Sequence, residues 1–378
     1  MNIIIFTHEL TNTGASFLLI EVLLNLHKKN NLTIYSHAGG INESIFRKYN
    51  INYVINPGVL YNASFIASSV KKADIVIANT FLAGDVAVVC GFLNVPCVWW
   101  IHEGTVAIDL VIRLNNHNKL NYKYVVLFIS GSRYLKQFQR TIGNKNIWSN
   151  FIGLPKLPVK IKEQKTNPNK IKLLFIGSIE ENKGQFEFIQ NILKINKSLL
   201  KKITVTFAGS AIDNDYYSKC RNMTFLSPNI YWLGDIDRDR VYLEMSQSDI
   251  LLCMSKEETG PMVVLEGLSL GLCVISTNVG IVTELIHNGR NGIILDSVHS
   301  IISVLNELLK DVSKIDELKN AASKSVKSLK SRESFTIEVS DFIEYYACSH
   351  KPSRSQVRYA LFIFKTIAFI KSITKKLK

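Results

Sequence analysis

Two glutamates set eight residues apart, Glu258 and Glu266, are the clearest candidates for chemistry in this sequence. Gly260 and Pro261 lie between them, and a glycine followed by a proline is typical of a helix start. This spacing predicts that Glu258 lies in the loop before a helix and that Glu266 lies in its second turn. Backbone N–H groups at a helix start attract anions such as phosphate, and carboxylates suit sugar hydroxyls. The alternative is an ordinary loop and amphipathic helix that carry two incidental acids.

An alternation of strands and helices must position these residues. Apolar runs recur along the chain with helical segments between them, which predicts parallel sheets and an α/β fold. At 378 residues the chain exceeds the usual size of a single core, and a Pro-, Lys- and Asn-rich stretch at 153–170 predicts a linker between two domains. The predicted strands are 3–6, 32–35, 53–55, 75–78, 97–101, 124–130, 148–151, 171–176, 203–208, 230–233 and 249–255.

Other candidates follow predicted strands, where ligands bind in open α/β sheets. His102 and Glu103 come directly after the strand at 97–101, and Lys183 lies in the loop after the strand at 171–176. Each could instead be an ordinary loop residue. The Asp- and Arg-rich run at 235–240 is interpreted as capping and solvating a helix.

The composition indicates a folded cytosolic protein. Hydrophobic residues make up 47% of the chain and charged residues 20%. The six cysteines show no CxxC pairing, which predicts reduced thiols. The first residues are too short an apolar run for a signal peptide, and no apolar run is long enough to span a bilayer. No G-x-G-x-x-G motif is present, which argues against a dinucleotide oxidoreductase.

The net charge of +14 predicts an anionic partner. Residues 351–378 contain eight Lys or Arg and no acid, interleaved with apolar residues. This pattern predicts a basic amphipathic helix on an anionic membrane surface, so the protein is expected at the inner face of the membrane as a peripheral protein. The alternatives are a helix docked on the first domain and a nucleic-acid contact, but no nucleic-acid-binding module is recognisable, and we expect no nucleic-acid partner.

Residues 255–295 resemble the donor-sugar site of retaining glycosyltransferases of the GT4 family (glycosyltransferase group 1). In that family two glutamates separated by seven residues precede a Gly-x-Pro-Val-Ile segment, and here Gly-x-Cys-Val-Ile follows Glu266. The loop at 177–184 resembles the family's Gly-Arg-Leu-x-x-x-Lys-Gly loop, with Lys183 matching and Ser178 in place of Arg. Residues 13–15 resemble its first-strand loop with one glycine rather than two, and 335–346 resemble its late helix.

The resemblance implies a GT-B fold, in which two Rossmann-like parallel-sheet domains face a central cleft. The acceptor-side domain would be 1–160, the donor-binding domain 171–334, the helix that crosses back 335–350, and the tail 351–378. The implied activity is transfer of a sugar from a nucleotide-diphosphate sugar to a hydroxyl acceptor, lipid-linked or oligosaccharide, in surface polysaccharide or glycolipid synthesis.

The resemblance also implies roles for individual residues. His102, Glu258 and Lys183 would be catalytic, with His102 contacting the donor sugar and the acceptor. No cofactor and no metal are implied. The implied donor-binding residues are Gly14, Lys183, Gly209, Gly234, Glu258, Gly260, Pro261, Met262, Val263 and Glu266.

Ser178 leaves two alternatives open. In the family the arginine grips the donor diphosphate, so either another basic residue replaces it, with Arg290 as the candidate, or donor use is weakened. The competing functions are a nucleotide-sugar epimerase of the same fold and a non-catalytic nucleotide-sugar-binding protein.

Overall fold

The computed structural model describes residues 1–11, 13–130, 132–143, 145–157 and 166–351. They form two compact units. The first unit comprises Met1–Ile152 and the described residues from Ser334 onward, and the second unit is Gly153–Glu333. The division after Ile152 lies earlier than the boundary at 160 expected from the sequence.

The first unit is built on a seven-stranded sheet in which every neighbouring pair is parallel. The strand order is β3-β2-β1-β4-β5-β6-β7. Its central strands are buried along their whole length because helices cover both faces of a parallel sheet. The strands are β1 (Asn2–Thr7), β2 (Asn31–Ser36), β3 (Asn52–Ile55), β4 (Ile75–Asn79), β5 (Cys97–Ile101), β6 (Val125–Ser130) and β7 (Ile147–Asn150).

Helices connect consecutive strands of this sheet, as the alternation in the sequence predicts. Their apolar faces and the strands form one hydrophobic core, with Trp99 fully buried in it. The helices are α1 (Gly14–His27), α2 (Glu43–Lys48), α3 (Ala63–Ser69), α4 (Gly84–Leu93), α5 (Thr105–Asn116) and α6 (Ser132–Ile142). Short 3-10 turns lie at Val70–Lys72 and Phe81–Ala83.

The second unit has a six-stranded parallel sheet with its own core. The strand order is β10-β9-β8-β11-β12-β13. The strands are β8 (Ile171–Ile176), β9 (Ile203–Ala208), β10 (Ile230–Trp232), β11 (Ile250–Cys253), β12 (Cys273–Thr277) and β13 (Ile293–Leu295). The helices are α7 (Gln185–Ile192), α8 (Lys197–Leu200), α9 (Asn214–Thr224), α10 (Arg238–Ser246), α11 (Met262–Ser269), α12 (Val282–Leu285), α13 (Ile301–Lys310) and α14 (Ser313–Ser325). Short 3-10 turns lie at Glu181–Lys183 and Val298–Ser300.

The two Rossmann-like parallel sheets predicted from the sequence are therefore confirmed. In each sheet the strand order reverses between the first and fourth strands of the unit, β1 beside β4 and β8 beside β11. Loops leave the carboxyl ends of these two strands in opposite directions, which opens a crevice at that point. The fold thus predicts one ligand crevice in each unit.

The last helix, α15 (Arg332–Ser349), packs on the first unit. Phe342 stacks on Trp148 with ring centroids 3.9 Å apart, and Asn146 donates a hydrogen bond to the Tyr346 hydroxyl at 2.7 Å. Before this helix the chain runs beside Leu154, whose carbonyl accepts from the Arg332 N–H at 2.6 Å. The segments that connect the two units therefore lie side by side.

Among the described helices, none combines the length and the apolar character that a membrane crossing requires. The predicted basic amphipathic helix at 351–378 falls outside the described residues except for Lys351. All six cysteines are free, and only Cys348 is exposed.

Candidate functional site

Lys183 and Glu258 meet at the crevice of the second unit. Lys183 ends the 3-10 turn that follows β8, and Glu258 lies in the loop that follows β11. The Nζ atom of Lys183 lies 2.5 Å from Oε1 of Glu258, and the Ser255 hydroxyl donates to the same oxygen at 2.9 Å. Burial acts to lower the pKa of Lys183, but the Glu258 carboxylate raises it above its usual value. The lysine therefore stays charged in a partly buried site.

Asn182 fastens the loop of Lys183 to the loop of Glu258. Its Nδ2 donates to the Glu257 carbonyl at 3.0 Å, and its Oδ1 accepts from the Glu257 N–H at 3.1 Å. Its own carbonyl accepts from the Lys256 N–H at 2.7 Å. These three bonds fix the distance between the two charged side chains, a role that the sequence analysis missed.

Gly280 holds the other side of the Glu258 loop. It has a φ of +50°, and a Cβ placed there would lie 2.3 Å from the Thr259 carbonyl oxygen and 2.7 Å from that of Glu258. The next residue, Ile281, donates its N–H to the Thr259 carbonyl at 3.1 Å. Only glycine allows this close approach of two backbones. In the sequence, the signal for this role is the glycine that ends the Ser-Thr-Asn-Val-Gly run at 276–280.

Glu266 lies in the second turn of α11, as predicted. The helix begins one residue later than predicted, since Pro261 is its N-cap and Met262 its first residue. Pro261 is buried, and the neighbouring residues Gly260, Met262 and Val263 are partly exposed. These four residues form the helix start beside the Lys183–Glu258 pair.

The partner of Glu266 is Arg238, the first residue of α10. The Glu266 carboxylate is 1% exposed and accepts from the Arg238 guanidinium and, at 3.4 Å, from the Tyr242 hydroxyl. Burial acts to lower the Arg238 pKa, but Glu266 raises it above its usual value. Interpreting the whole 235–240 run as capping and solvating was therefore wrong for Arg238. It was correct for Asp237, whose side chain caps α10 by accepting from the Arg240 N–H at 2.8 Å.

A glycine follows each of β8, β9 and β10 at the carboxyl edge of the second sheet. Gly209 has a φ of +149°, and a Cβ there would lie 1.9 Å from the Gly177 carbonyl oxygen. The Gly209 N–H donates to the Gly234 carbonyl at 2.8 Å. The close contact with Gly177 is therefore enough to require glycine at position 209. Gly234 has a φ of +70°, and a Cβ added there would have no neighbour within 4 Å.

The loop after β8 carries a carboxylate near the position where the resemblance implies an arginine. The Ser178 hydroxyl donates to the Glu180 carboxylate. Arg290 cannot replace the arginine, because it precedes β13 and so lies at the amino edge of the sheet, opposite the crevice. Arg238, which follows β10, lies at the correct edge.

In the first unit His102 follows β5 and stacks on Trp100 with ring centroids 4.9 Å apart. Its Nε2 lies 2.9 Å from Oδ1 of Asn79, whose Nδ2 donates to the Thr7 hydroxyl at 3.1 Å. Since the Asn79 oxygen is an acceptor, Nε2 of His102 carries the proton. Burial lowers the pKa of His102 to about 3, so the ring is neutral at physiological pH.

A cavity of about 220 Å³ lies at the crevice of the first unit. Glu103 contributes a carboxylate that accepts from the backbone N–H groups of Phe81 at 2.9 Å and His102 at 3.1 Å. Burial raises the pKa of Glu103, and these two bonds oppose the rise. Thr80 has a φ of +71°, a strained conformation for a β-branched residue. The cavity is lined by Thr7, His8, Glu9, Thr13, Ala15, Ser16, Thr80, Leu82 and Glu103.

Gly14 is the first residue of α1 and lies between two residues that line this cavity, Thr13 and Ala15. Thr13 caps the helix by accepting from the Ser16 N–H at 3.4 Å. In the part of the chain that the structure describes, no three His, Cys, Asp or Glu side chains come close enough to hold a metal ion.

Residues 156–325, which lie in the second unit, match the family model described as Glycosyl transferases group 1. The uncharacterized glycosyltransferase MJ1069 of Methanocaldococcus jannaschii is 26% identical over 187 residues, which are 47% of each chain. The chain matches between 36% and 47% of the length of the curated relatives.

Two solved structures share the fold over almost the whole chain. Anabaena Alr3699/HepE in complex with UDP and glucose has a TM-score of 0.74 at 16% identity, covering 90% of this chain and 99% of that one. WaaG, a glycosyltransferase involved in lipopolysaccharide biosynthesis, has a TM-score of 0.65 at 15% identity, covering 90% and 99%. At these identities the likeness shows the GT-B fold.

Proposed function

We propose that this chain is a retaining glycosyltransferase of the GT4 type, which transfers a sugar from a nucleotide-diphosphate sugar to a hydroxyl acceptor. The observation that carries the proposal is the Lys183–Glu258 pair at the crevice of the second unit. This pair lies within the segment that matches the group 1 family model. It places a cation, which suits a diphosphate, beside a carboxylate, which suits sugar hydroxyls.

The roles follow from the chemistry of each group. Lys183 binds diphosphate oxygens by charge-assisted hydrogen bonds and stabilises the negative charge that develops on the leaving group. Glu258 accepts hydrogen bonds from sugar hydroxyls. The start of α11 presents backbone N–H groups to phosphate, although its N-cap residue is a proline that contributes no side-chain bond. In this proposal no metal takes part.

The other candidate residues have supporting roles in this proposal. Glu266 binds the ribose hydroxyls, with Arg238 holding its carboxylate in position by an ion pair. Gly209 and Gly234 offer backbone groups to the nucleotide, and Gly14 lets the α1 loop approach the donor phosphates. His102, as a neutral ring, contacts the donor sugar and the acceptor.

We propose surface polysaccharide or glycolipid synthesis as the process and a lipid-linked or oligosaccharide acceptor. WaaG, which shares the fold, is involved in lipopolysaccharide biosynthesis, and HepE was crystallised with UDP and glucose. We also propose that the protein works in the cytoplasm, peripheral to the inner face of the membrane, because the basic segment at 351–378 suits an anionic surface.

The test is a panel of nucleotide sugars, starting with UDP-glucose, measured for thermal stabilisation and then for transfer to added hydroxyl acceptors. A product linked to the acceptor supports the proposal. Free epimer would identify an epimerase, and binding without turnover would identify a non-catalytic nucleotide-sugar-binding protein. Absence of stabilisation by every member of the panel would contradict the donor class itself.

A further inference from the structure

Two adjacent apolar side chains are exposed at the amino edge of the second sheet. Phe225 and Leu226 follow α9 and precede β10, and they are 83% and 88% exposed. Exposed apolar surface raises the free energy of the protein in water, and covering these two side chains with a partner would lower it. Because the ligand crevice lies at the carboxyl ends of the strands, this loop is at the opposite edge from the site proposed above.

Segments rich in lysine lie beside this apolar loop. Asn229 ties it to the segment before β9 by donating to the carbonyls of Leu200 at 2.9 Å and Ile203 at 2.8 Å. That segment is tied in turn to the one before β8, since the Ile171 N–H donates to the Lys202 carbonyl at 2.8 Å. The segments 166–170, 193–202 and 225–229 contain no Asp or Glu and five lysines, here called the basic rim, which are Lys170, Lys194, Lys197, Lys201 and Lys202.

The lysines of the basic rim are available to an external anion. All except Lys202, which is partly buried, are exposed. Two acids lie beside these segments, and both are engaged. Asp249 pairs with Lys319 at 3.4 Å and accepts from the Lys172 N–H at 2.9 Å, and Asp316 accepts from the Thr166 N–H at 3.0 Å. The basic rim therefore keeps a net positive charge around two exposed apolar side chains.

We propose that the basic rim together with Phe225 and Leu226 binds an anionic membrane surface. Apolar side chains at a loop tip enter the interfacial region, while lysines around them bind lipid phosphates and carboxylates. A second copy of the chain meeting the same surface would place lysines against lysines, which disfavours a symmetric dimer here. The proposal does not depend on the glycosyltransferase assignment.

The first experiment measures binding of the full chain to vesicles of phosphatidylcholine with and without phosphatidylserine. Phe225→Ser with Leu226→Ser is expected to weaken binding to the anionic vesicles roughly tenfold, since two apolar side chains no longer enter the interface. Ile212→Ser is the matched control, because Ile212 is 56% exposed in the same unit but lies in the loop after the carboxyl end of β9. Equal binding by the double variant and the control would overturn the proposal.

A second experiment separates this surface from the basic tail at 351–378. Phe225→Trp and Ile212→Trp are prepared in the full chain and mixed with anionic vesicles that contain brominated lipid. The expected result is additional tryptophan quenching in Phe225→Trp alone. Vesicle binding without quenching at 225, or a change of oligomeric state in the Ser variants with unchanged vesicle binding, would assign this surface to something other than a membrane.

Discussion

The Nζ atom of Lys183 lies 2.5 Å from Oε1 of Glu258, so the cation that follows β8 is paired with the carboxylate that follows β11. The two side chains are 22% and 18% exposed, so water screens the pair only in part. A diphosphate that binds here would contact the Lys183 ammonium but would be repelled by the Glu258 carboxylate. A sugar hydroxyl beside that carboxylate would donate a hydrogen bond to it. Under the proposed function, we therefore expect this pair to favour a ligand that carries both a diphosphate and sugar hydroxyls.

Lys183→Ala should weaken the binding of both the nucleoside diphosphate and the intact donor, by roughly ten- to hundredfold, the value of one charge-assisted contact. Glu258→Ala should cut transfer strongly and leave nucleoside diphosphate affinity near normal. In the double variant Lys183→Ala with Glu258→Gln, diphosphate affinity should recover in part because the unpaired carboxylate is gone. Isothermal titration calorimetry measures the diphosphate affinity of the three variants, and a transfer assay with a hydroxyl acceptor measures the turnover of Glu258→Ala.

The matched control for Lys183 is Lys310→Ala, which removes an exposed lysine from the end of α13 in the same unit. It should bind the diphosphate as the wild type does. Unchanged affinity in Lys183→Ala would remove this residue from the site.

Gly280→Ala should reduce donor affinity, because its Cβ would lie 2.3 Å from the Thr259 carbonyl and push the Glu258 loop away. Gly289→Ala is the control, since Gly289 has a φ of +74° but nothing within 4 Å of the added methyl group. Both variants should lose about 1 kcal/mol of stability from the left-handed backbone, and Gly280→Ala more. Equal donor affinity in the two variants would show that Gly280 does not position the loop.

Arg238→Ala should lower the free energy of unfolding by roughly 1–3 kcal/mol, since it leaves the buried Glu266 carboxylate without its cation while Arg238 itself is partly exposed. Arg238→Ala with Glu266→Gln should recover part of this loss. Urea unfolding of Arg238→Ala, Glu266→Gln and the double variant gives the coupling free energy. A loss in the double variant equal to the sum of the single losses would contradict a direct interaction.

His102 should remain neutral throughout the physiological range, because burial lowers its pKa to about 3 from 6.5. The folded protein thus binds fewer protons at this site than the unfolded chain, and the stabilisation is fully present above pH 6.5 and declines as the pH falls towards 3. The ring C–H resonances should not titrate between about pH 5 and 8. In His102→Gln the free energy of unfolding should depend less on pH below 6.5. A ring that titrates near its ordinary pKa would contradict the assignment.

Deleting 351–378 should shift the protein from the membrane fraction towards the soluble fraction, since the segment contains eight Lys or Arg and no acid. Cell fractionation measures the shift. The Ser variants at 225 and 226 provide the comparison, because they alter a different surface. An unchanged distribution after the deletion would contradict the membrane role of the tail.

The order of strands, loops and helices was determined by the sequence alone. Continuous apolar runs such as β5 can be buried on both faces only in a covered parallel sheet, and every pair of neighbouring strands is parallel. Parallel strands share a carboxyl edge, so the positions of Lys183 and Glu258 directly after strands placed them at one edge. The helix start between the two glutamates was predictable to within one residue, from a glycine and a proline.

The tertiary structure alone decided which side chains meet. Arg238 and Glu266 are 28 residues apart on two helices, and no local pattern reveals which face of one helix lies against the other. Gly280 and Asn182 likewise contact a loop that is distant in the sequence. Gly280 approaches its backbone closely and the Asn182 side-chain amide bonds to its backbone, and no local sequence pattern reveals either contact. Arg290 is the converse case, because its charge suited the site but the direction of β13 places it at the opposite edge of the sheet. Local spacing in the sequence determines whether a residue lies on a strand, helix or loop and at which edge of the sheet it lies. Contacts between elements depend on packing over the whole sheet.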